Sequence, residues 1–309
     1  MDILLMDNLI TLPANYPSLV QHLKGSTFTA SELSIDVLRL DKLHPIVSGN
    51  KWFKLKGHLQ QAQGGPILTF GGAWSNHIVA TAFAARQLSL PAIGIIRGEY
   101  PSTLSATLKD AVTYGMHLEF ISRSDYSQKE SPDFLHRLAE RYPGAYIIPE
   151  GGGGIAGIRG SEDILHGIDI KNYTDLLCAI GTGTTFLGLV RASAPGQRVI
   201  GVPVLKGLDT IAAIDRGDFL TSEQRDRCHL LLNYHFGGYA RHPQPLLDFM
   251  NEFHQVTGIP SDIVYTGKLF YALQDSIKQS LFPARSRLLV IHSGGLQGNQ
   301  SLSSGKLDF

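Results

Sequence analysis

Lys51 stands in the segment Ser48-Gly49-Asn50-Lys51-Trp52-Phe53-Lys54-Leu55, where its amine falls at the start of a predicted helix. Trp52, Leu55 and Leu59 follow at helical spacing for an inward face, and Ser48 reads as the residue capping the first turn. A helix N-terminus in an apolar setting disfavours the ammonium form, and a neutral lysine amine condenses with aldehydes. Much farther along, Gly181-Thr182-Gly183-Thr184-Thr185 follows an apolar run. Small residues let consecutive N–H groups converge on phosphate oxygens there, with threonine hydroxyls as further donors. The loop lacks the Gly-Lys-Ser/Thr ending of nucleotide loops and the spacing of dinucleotide folds.

One cofactor needs a lysine amine and a phosphate cradle together: pyridoxal 5′-phosphate, held covalently at its aldehyde and electrostatically at its phosphate. Other polar groups stand at turns that could complete such a site. In Gly71-Gly72-Ala73-Trp74-Ser75-Asn76-His77, Ser75 can hold a carboxylate or move a proton, or it can simply cap a helix. Asn76 can donate to a phenolic oxygen, and His77 reads as a supporting residue. Tyr265, opening Tyr265-Thr266-Gly267-Lys268, is a candidate acid or base. Tyr239, after Gly237-Gly238, is a second aromatic candidate. Ser293 in His292-Ser293-Gly294-Gly295 could face a pyridine ring. The run Gly151 to Gly154 allows either close backbone approach to a ligand or a hinge.

Stepping outward to the elements, strand-like and helix-like segments alternate from Pro66 onward. Ile67–Phe70, Ala92–Ile96, His117–Ile121, Ala145–Ile148, Leu176–Ile180, Arg198–Val202 and Arg287–Ile291 read as strands. Helices are predicted over 76–88, about 102–114 and 132–141. This alternation implies parallel sheets joined by right-handed crossovers, with ligands beyond the C-terminal strand ends. The glycine-rich turns and polar residues fall there.

The 309 residues are 43% hydrophobic and 17% charged, enough for a sizeable core, and 27 Lys+Arg balance 27 Asp+Glu. With zero formal net charge and no basic stripe, nucleic acid and anionic membranes are not expected partners. Cys178 and Cys228 make neither a disulfide framework nor a metal-ligand spacing, and the histidines show no metal pattern. The Met1–Asp7 stretch lacks a basic start and a long apolar region, so a cytoplasmic protein is expected.

Taken together, Gly49-Asn50-Lys51, Ser75-Asn76-His77, Ile148-Pro149-Glu150-Gly151-Gly152, Gly181 to Thr185, Tyr265-Thr266-Gly267-Lys268 and His292-Ser293-Gly294-Gly295 resemble the D-cysteine desulfhydrase/1-aminocyclopropane-1-carboxylate deaminase family. The resemblance implies a tryptophan synthase β-like fold (fold type II): two open parallel-sheet α/β domains, with 1–45 and 155–309 as the large cofactor domain and 46–154 as the small one. It implies that Lys51 binds the cofactor covalently, Gly181–Thr185 its phosphate, Asn50 near the phosphate and Asn76 the ring oxygen. Ser75, Tyr239 and Tyr265 would surround a small amino-acid substrate, with Trp74 and His77 beside them. A homodimer is implied as well.

Within that family the deaminases carry a glutamate after the tyrosine matching Tyr265, where it pairs with the pyridine nitrogen. Here the residue is Thr266. They also tend to have leucine at Ser293 and glutamine at His77. All three positions lean toward the desulfhydrase type, because a neutral hydroxyl gives a weaker electron sink that suits loss of a good leaving group such as thiolate. The expectation is therefore a D-cysteine desulfhydrase-like β-elimination, with 1-aminocyclopropane-1-carboxylate deamination as the alternative. Phe53, Trp74 and Val79 depart from residues common in the family, two of them basic. A catalytically idle carrier of the cofactor is the further alternative.

Overall fold

The computed structural model describes Leu12 and residues 16–24, 32–62 and 64–309; the Met1–Asp7 stretch lies outside the described residues. The strands are β1 (Val20–His22), β2 (Ser34–Arg39), β3 (Ile67–Gly71), β4 (Ala92–Arg97), β5 (Met116–Ile121), β6 (Tyr146–Ile148), β7 (Asp175–Ile180), β8 (Arg198–Pro203), β9 (Cys228–Leu230) and β10 (Arg287–His292). The helices that matter for the site are α1 (Asn50–Leu59), α2 (Asn76–Gln87), α3 (Thr184–Ala192), α4 (Gln244–Thr257) and α5 (Thr266–Lys278). The chain divides into two compact units, one made of Lys51–Gly160, the other of Leu12–Asn50 with Ser161–Phe309. Among the described residues no helix is long and apolar enough to cross a membrane.

The first unit carries a four-stranded parallel sheet in the order β5-β4-β3-β6. All five residues of β3 are buried, the signature of a strand covered on both faces. The chain runs outward from β3 through β4 to β5, then returns to place β6 on the other side of β3. That reversal sits between β3 and β6. The turn after β3 is Gly72–Ser75, and the loop after β6 is the glycine run. Crevices for ligands form where strand order reverses in this way.

The second unit repeats the logic with six strands, β1-β2-β10-β7-β8-β9, parallel except for the β1–β2 pair. Here β7 leads to β8 and β9 on one side, while β10 lies on the other, so the reversal falls between β7 and β10. The two loops leaving it are Gly181–Gly183 and Ser293–Gly295. A core of Leu177, Ile200, Val202, Leu246, Phe253 and Phe270 fills the space between this sheet and α4 and α5.

Helix α1 crosses the helix Gly154–Glu162 at a point where two glycines meet. A Cβ on Gly57 would lie 2.1 Å from Ala156 O, and one on Gly160 would lie 2.1 Å from Phe53 O. No side chain fits between the two backbones. Gly160→Ala is therefore expected to destabilise the protein by about 3 kcal/mol through overpacking against backbone. Urea unfolding checks this, and an unchanged midpoint would mean that the helices can part without cost.

Candidate active site

Helix α1 begins at Asn50, so Gly49 rather than Ser48 borders its first turn. The expected cap at Ser48 is thus corrected: its hydroxyl reaches toward Asp41 O at 3.5 Å, and Gly49 takes the left-handed φ of +66° that the turn requires. Lys51 lies in the first turn, followed by buried Trp52, Phe53 and Leu55. Phe53 is fully buried and Val79 nearly so, so the two positions where basic residues are common in the family are core positions here.

Lys54 and His58 continue the Lys51 face and grip the loop after β6. Lys54 Nζ donates to Gly151 O at 3.3 Å, and His58 Nε2–H donates to Gly153 O at 2.9 Å. Gly151, Gly152 and Gly154 all have positive φ, and a Cβ on Gly152 would come within 3.1 Å of Lys54 Cβ. The glycine run is moulded onto α1, which accounts for its composition without a hinge.

Ser75 caps α2, accepting the N–H of Ile78 at 3.4 Å, a bond that leaves its own proton uncommitted. Its hydroxyl lies over Gly71, whose Cβ would approach within 2.7 Å. Trp74 is 38% exposed beside it, and Asn76 opens the helix. His77 turns inward. Thr69 Oγ1 donates to Ile148 O at 2.9 Å, so the 2.8 Å contact from His77 Nε2 must carry the imidazole proton. His77 Nδ1 is then a buried lone pair with no hydrogen-bond partner among the described residues. Burial first, then the positive charges of Lys51, His58 and Lys54, push the His77 imidazole well below its ordinary range.

In the second unit, Gly181–Thr185 joins β7 to α3. Gly183 sits at the cap position with φ +84° and has no side chain of its own to satisfy the first-turn N–H groups of α3. Thr182 and Thr184 hydroxyls lie 3.1 Å apart. Asn50 donates from Nδ2 to Thr185 Oγ1 at 2.8 Å, and its backbone N–H reaches Ser293 O at 3.1 Å. Tyr265 covers the start of the loop, its ring 2.9 Å from where a Cβ on Gly181 would be. The unit thus brings Asn50, Gly181–Thr185, Tyr265 and Ser293 together at the ends of β7 and β10.

Thr266 follows Tyr265 as the first residue of α5. It is buried, accepts the Asp262 N–H at 2.7 Å and donates its hydroxyl proton to Asp262 Oδ1 at 2.7 Å. Asp262 also takes the N–H groups of Val264, Tyr265 and Thr266, fixing the entry to α5. Burial keeps its carboxyl above the usual carboxylate range, against those hydrogen bonds. Asp262 was not singled out from the sequence, although an Asp just ahead of an apolar helix is a legible capping signal. Tyr239 is 49% exposed on a separate turn. Behind Ser293, His292 donates to Pro260 O at 2.7 Å and faces Asp41, which Arg39 holds with two bonds of 2.8 and 2.6 Å. Burial alone would raise the Asp41 carboxyl, but His292 and Arg39 outweigh it and hold it low.

These residues fit pyridoxal 5′-phosphate. A glycine-capped helix start with flanking threonine hydroxyls suits a phosphate. A first-turn lysine would supply the amine.

The inward histidines have a consequence for acid stability. Burial lowers His58 to about 4, so between about pH 6.5 and 4 the unfolded chain binds a proton that the folded chain refuses. Stability must fall as pH drops through that window, by up to about 3 kcal/mol from His58. Unfolding curves from pH 7 to 4 should be flatter for His58→Asn than for the native protein; an equal slope would contradict the neutral, buried imidazole.

Comparison with known proteins adds an independent line. The profile of the family described as "Pyridoxal-phosphate dependent enzyme" matches residues 29–294. A putative 1-aminocyclopropane-1-carboxylate deaminase of Pyrococcus abyssi is 29% identical over 292 residues, covering 86% of each chain. The bifunctional D-cysteine desulfhydrase/1-aminocyclopropane-1-carboxylate deaminase of Arabidopsis thaliana is 28% identical over 82% of this chain and 70% of its own. A solved structure described as an ACC deaminase homologue superposes with a TM-score of 0.78 over 95% of both chains at 24% identity, which establishes the shared fold. The profile spans the Lys51 helix, the Ser75 turn, the glycine run and the Gly181–Thr185 loop, and the chain belongs to the pyridoxal-phosphate dependent enzyme family.

Proposed function

We propose that the enzyme eliminates the β substituent of a small amino acid, with D-cysteine as the leading substrate, giving pyruvate, ammonia and sulfide after water is taken up. When bound, pyridoxal 5′-phosphate supplies an aldehyde for the substrate amine and a ring that accepts the electron pair left at the α-carbon. Lys51 provides the amine that anchors it, and Gly181–Thr185 with Asn50 bind its phosphate. Asn76 donates to the ring oxygen. Lys51, once its nitrogen is free, or Tyr265 takes the α-proton. Ser75, whose proton is not used in capping α2, holds the substrate carboxylate; Trp74, His77 and Tyr239 shape the rest of the pocket. The same reading carries a cytoplasmic homodimer, on grounds of family resemblance.

One observation supports elimination over ring opening. Thr266 stands where the deaminases use a glutamate, and its only proton is given to Asp262. It has none to offer a pyridine nitrogen, and Ser293 is the other hydroxyl expected there. A ring nitrogen without a carboxylate partner is a weak electron sink, adequate when thiolate leaves from the β-carbon. The names of relatives include both activities, so 1-aminocyclopropane-1-carboxylate deamination is the second reading.

Holoenzyme assayed in parallel with D-cysteine, L-cysteine and 1-aminocyclopropane-1-carboxylate separates them. Sulfide and pyruvate from D-cysteine are expected with kcat/KM at least about tenfold above that for the cyclopropane, a difference of about 1.4 kcal/mol in transition-state binding. Dominant 2-oxobutyrate release would transfer the assignment to the second reading. No keto acid from any amino acid would refute both.

A further inference from the structure

Lys268 is fully buried, lies one helical turn beyond Tyr265 on α5, and has no part in the chemistry above. Both of its recorded bonds go to one loop: Nζ donates to His235 O at 2.9 Å and to Gly238 O at 2.7 Å. Those carbonyls are the hinges of two successive turns. His235 O also accepts the Gly238 N–H at 3.0 Å, and Gly238 O accepts the Arg241 N–H at 3.2 Å. The Gly237 N–H is taken by His235 Nδ1 at 2.9 Å.

The loop needs an external hold. Phe236 and Ala240 adopt φ of +51° and +53°, left-handed backbone that side chains disfavour, and Gly237 and Gly238 lie at +95° and +120°. Tyr239 falls within the second turn. An apolar side chain such as methionine would fill the space of the lysine stem without the desolvation cost of an amine. What a lysine adds is its pair of bonds to the loop. Burial pushes this amine down to about 8, with Asp262 opposing, which reflects how dry the junction is.

We propose that Lys268 is a positioning residue, its buried amine stapling the double turn 235–241 to α5 and thereby setting where Tyr239 meets substrate. The second half rests on the reading that Tyr239 lines the substrate pocket.

Hydrogen exchange of the holoenzyme tests the staple directly. In Lys268→Met the segment 233–241 should exchange at least about tenfold faster, as expected for lost bonds to a charged donor, while 184–192 stays unchanged. Gly238→Ala, which strains the same turn while keeping the Lys268 side chain, should do likewise. KM for D-cysteine should rise about tenfold in Lys268→Met, with kcat within about threefold of the native value. Unchanged exchange in Lys268→Met, whatever Gly238→Ala shows, overturns the staple. Faster exchange with an unchanged KM, where Tyr239→Ala does raise KM, overturns the positioning role. If Tyr239→Ala also leaves KM unchanged, the staple stands and the placement of Tyr239 beside substrate is overturned.

Discussion

The arrangement depends on a side chain that is missing at residue 49. A Cβ on Gly49 would fall 1.9 Å from Ser293 O, and one on Gly294 would fall 2.9 Å from Gly49 Cα. Both glycines also have positive φ, so neither tolerates another residue on steric or on conformational grounds. With this contact made, the Asn50 N–H reaches Ser293 O and its side-chain amide holds Thr185. Within the second unit, Asn50 is thereby tied to the loops after β7 and β10 by two hydrogen bonds.

Each sheet reverses its strand order once, and the chemistry-bearing turns leave the strands on either side of that reversal. In one unit these are the Ser75 turn and the glycine run; in the other, the Gly181–Thr185 loop and the Ser293 turn. In a chain with zero formal net charge, a glycine-capped helix start is a local feature whose backbone N–H groups suit an anion without a basic surface. Buried polar groups then stiffen the frame: Asp262 closes the entry to α5, and Arg39, Asp41 and His292 brace the end of β10.

Much of this was legible in the sequence where a single local rule dominates. Strands β3, β4, β7 and β10 are continuous apolar runs because both faces are covered, and they were read at nearly their observed limits. Strand β2 was not anticipated: Ser34 and Asp36 interrupt its apolar run. Strands β1 and β9, at three residues each, leave too little pattern to read. The candidate residues were found from type and spacing, yet their partners were not. Nothing in the sequence says that Thr266 spends its proton on Asp262, that His58 and Lys54 clasp the glycine run, or that Lys268 is buried. Those are pairings across 4 to 97 positions, set by packing rather than by local pattern.

The account stands on Lys51 as the amine that carries the cofactor. Borohydride reduction of the yellow holoprotein, followed by digestion and mass spectrometry, tests this most directly. The expected result is one pyridoxyl-phosphate adduct, on the peptide containing Lys51. An adduct on Lys54, Lys56 or Lys268 with Lys51 unmodified would contradict it.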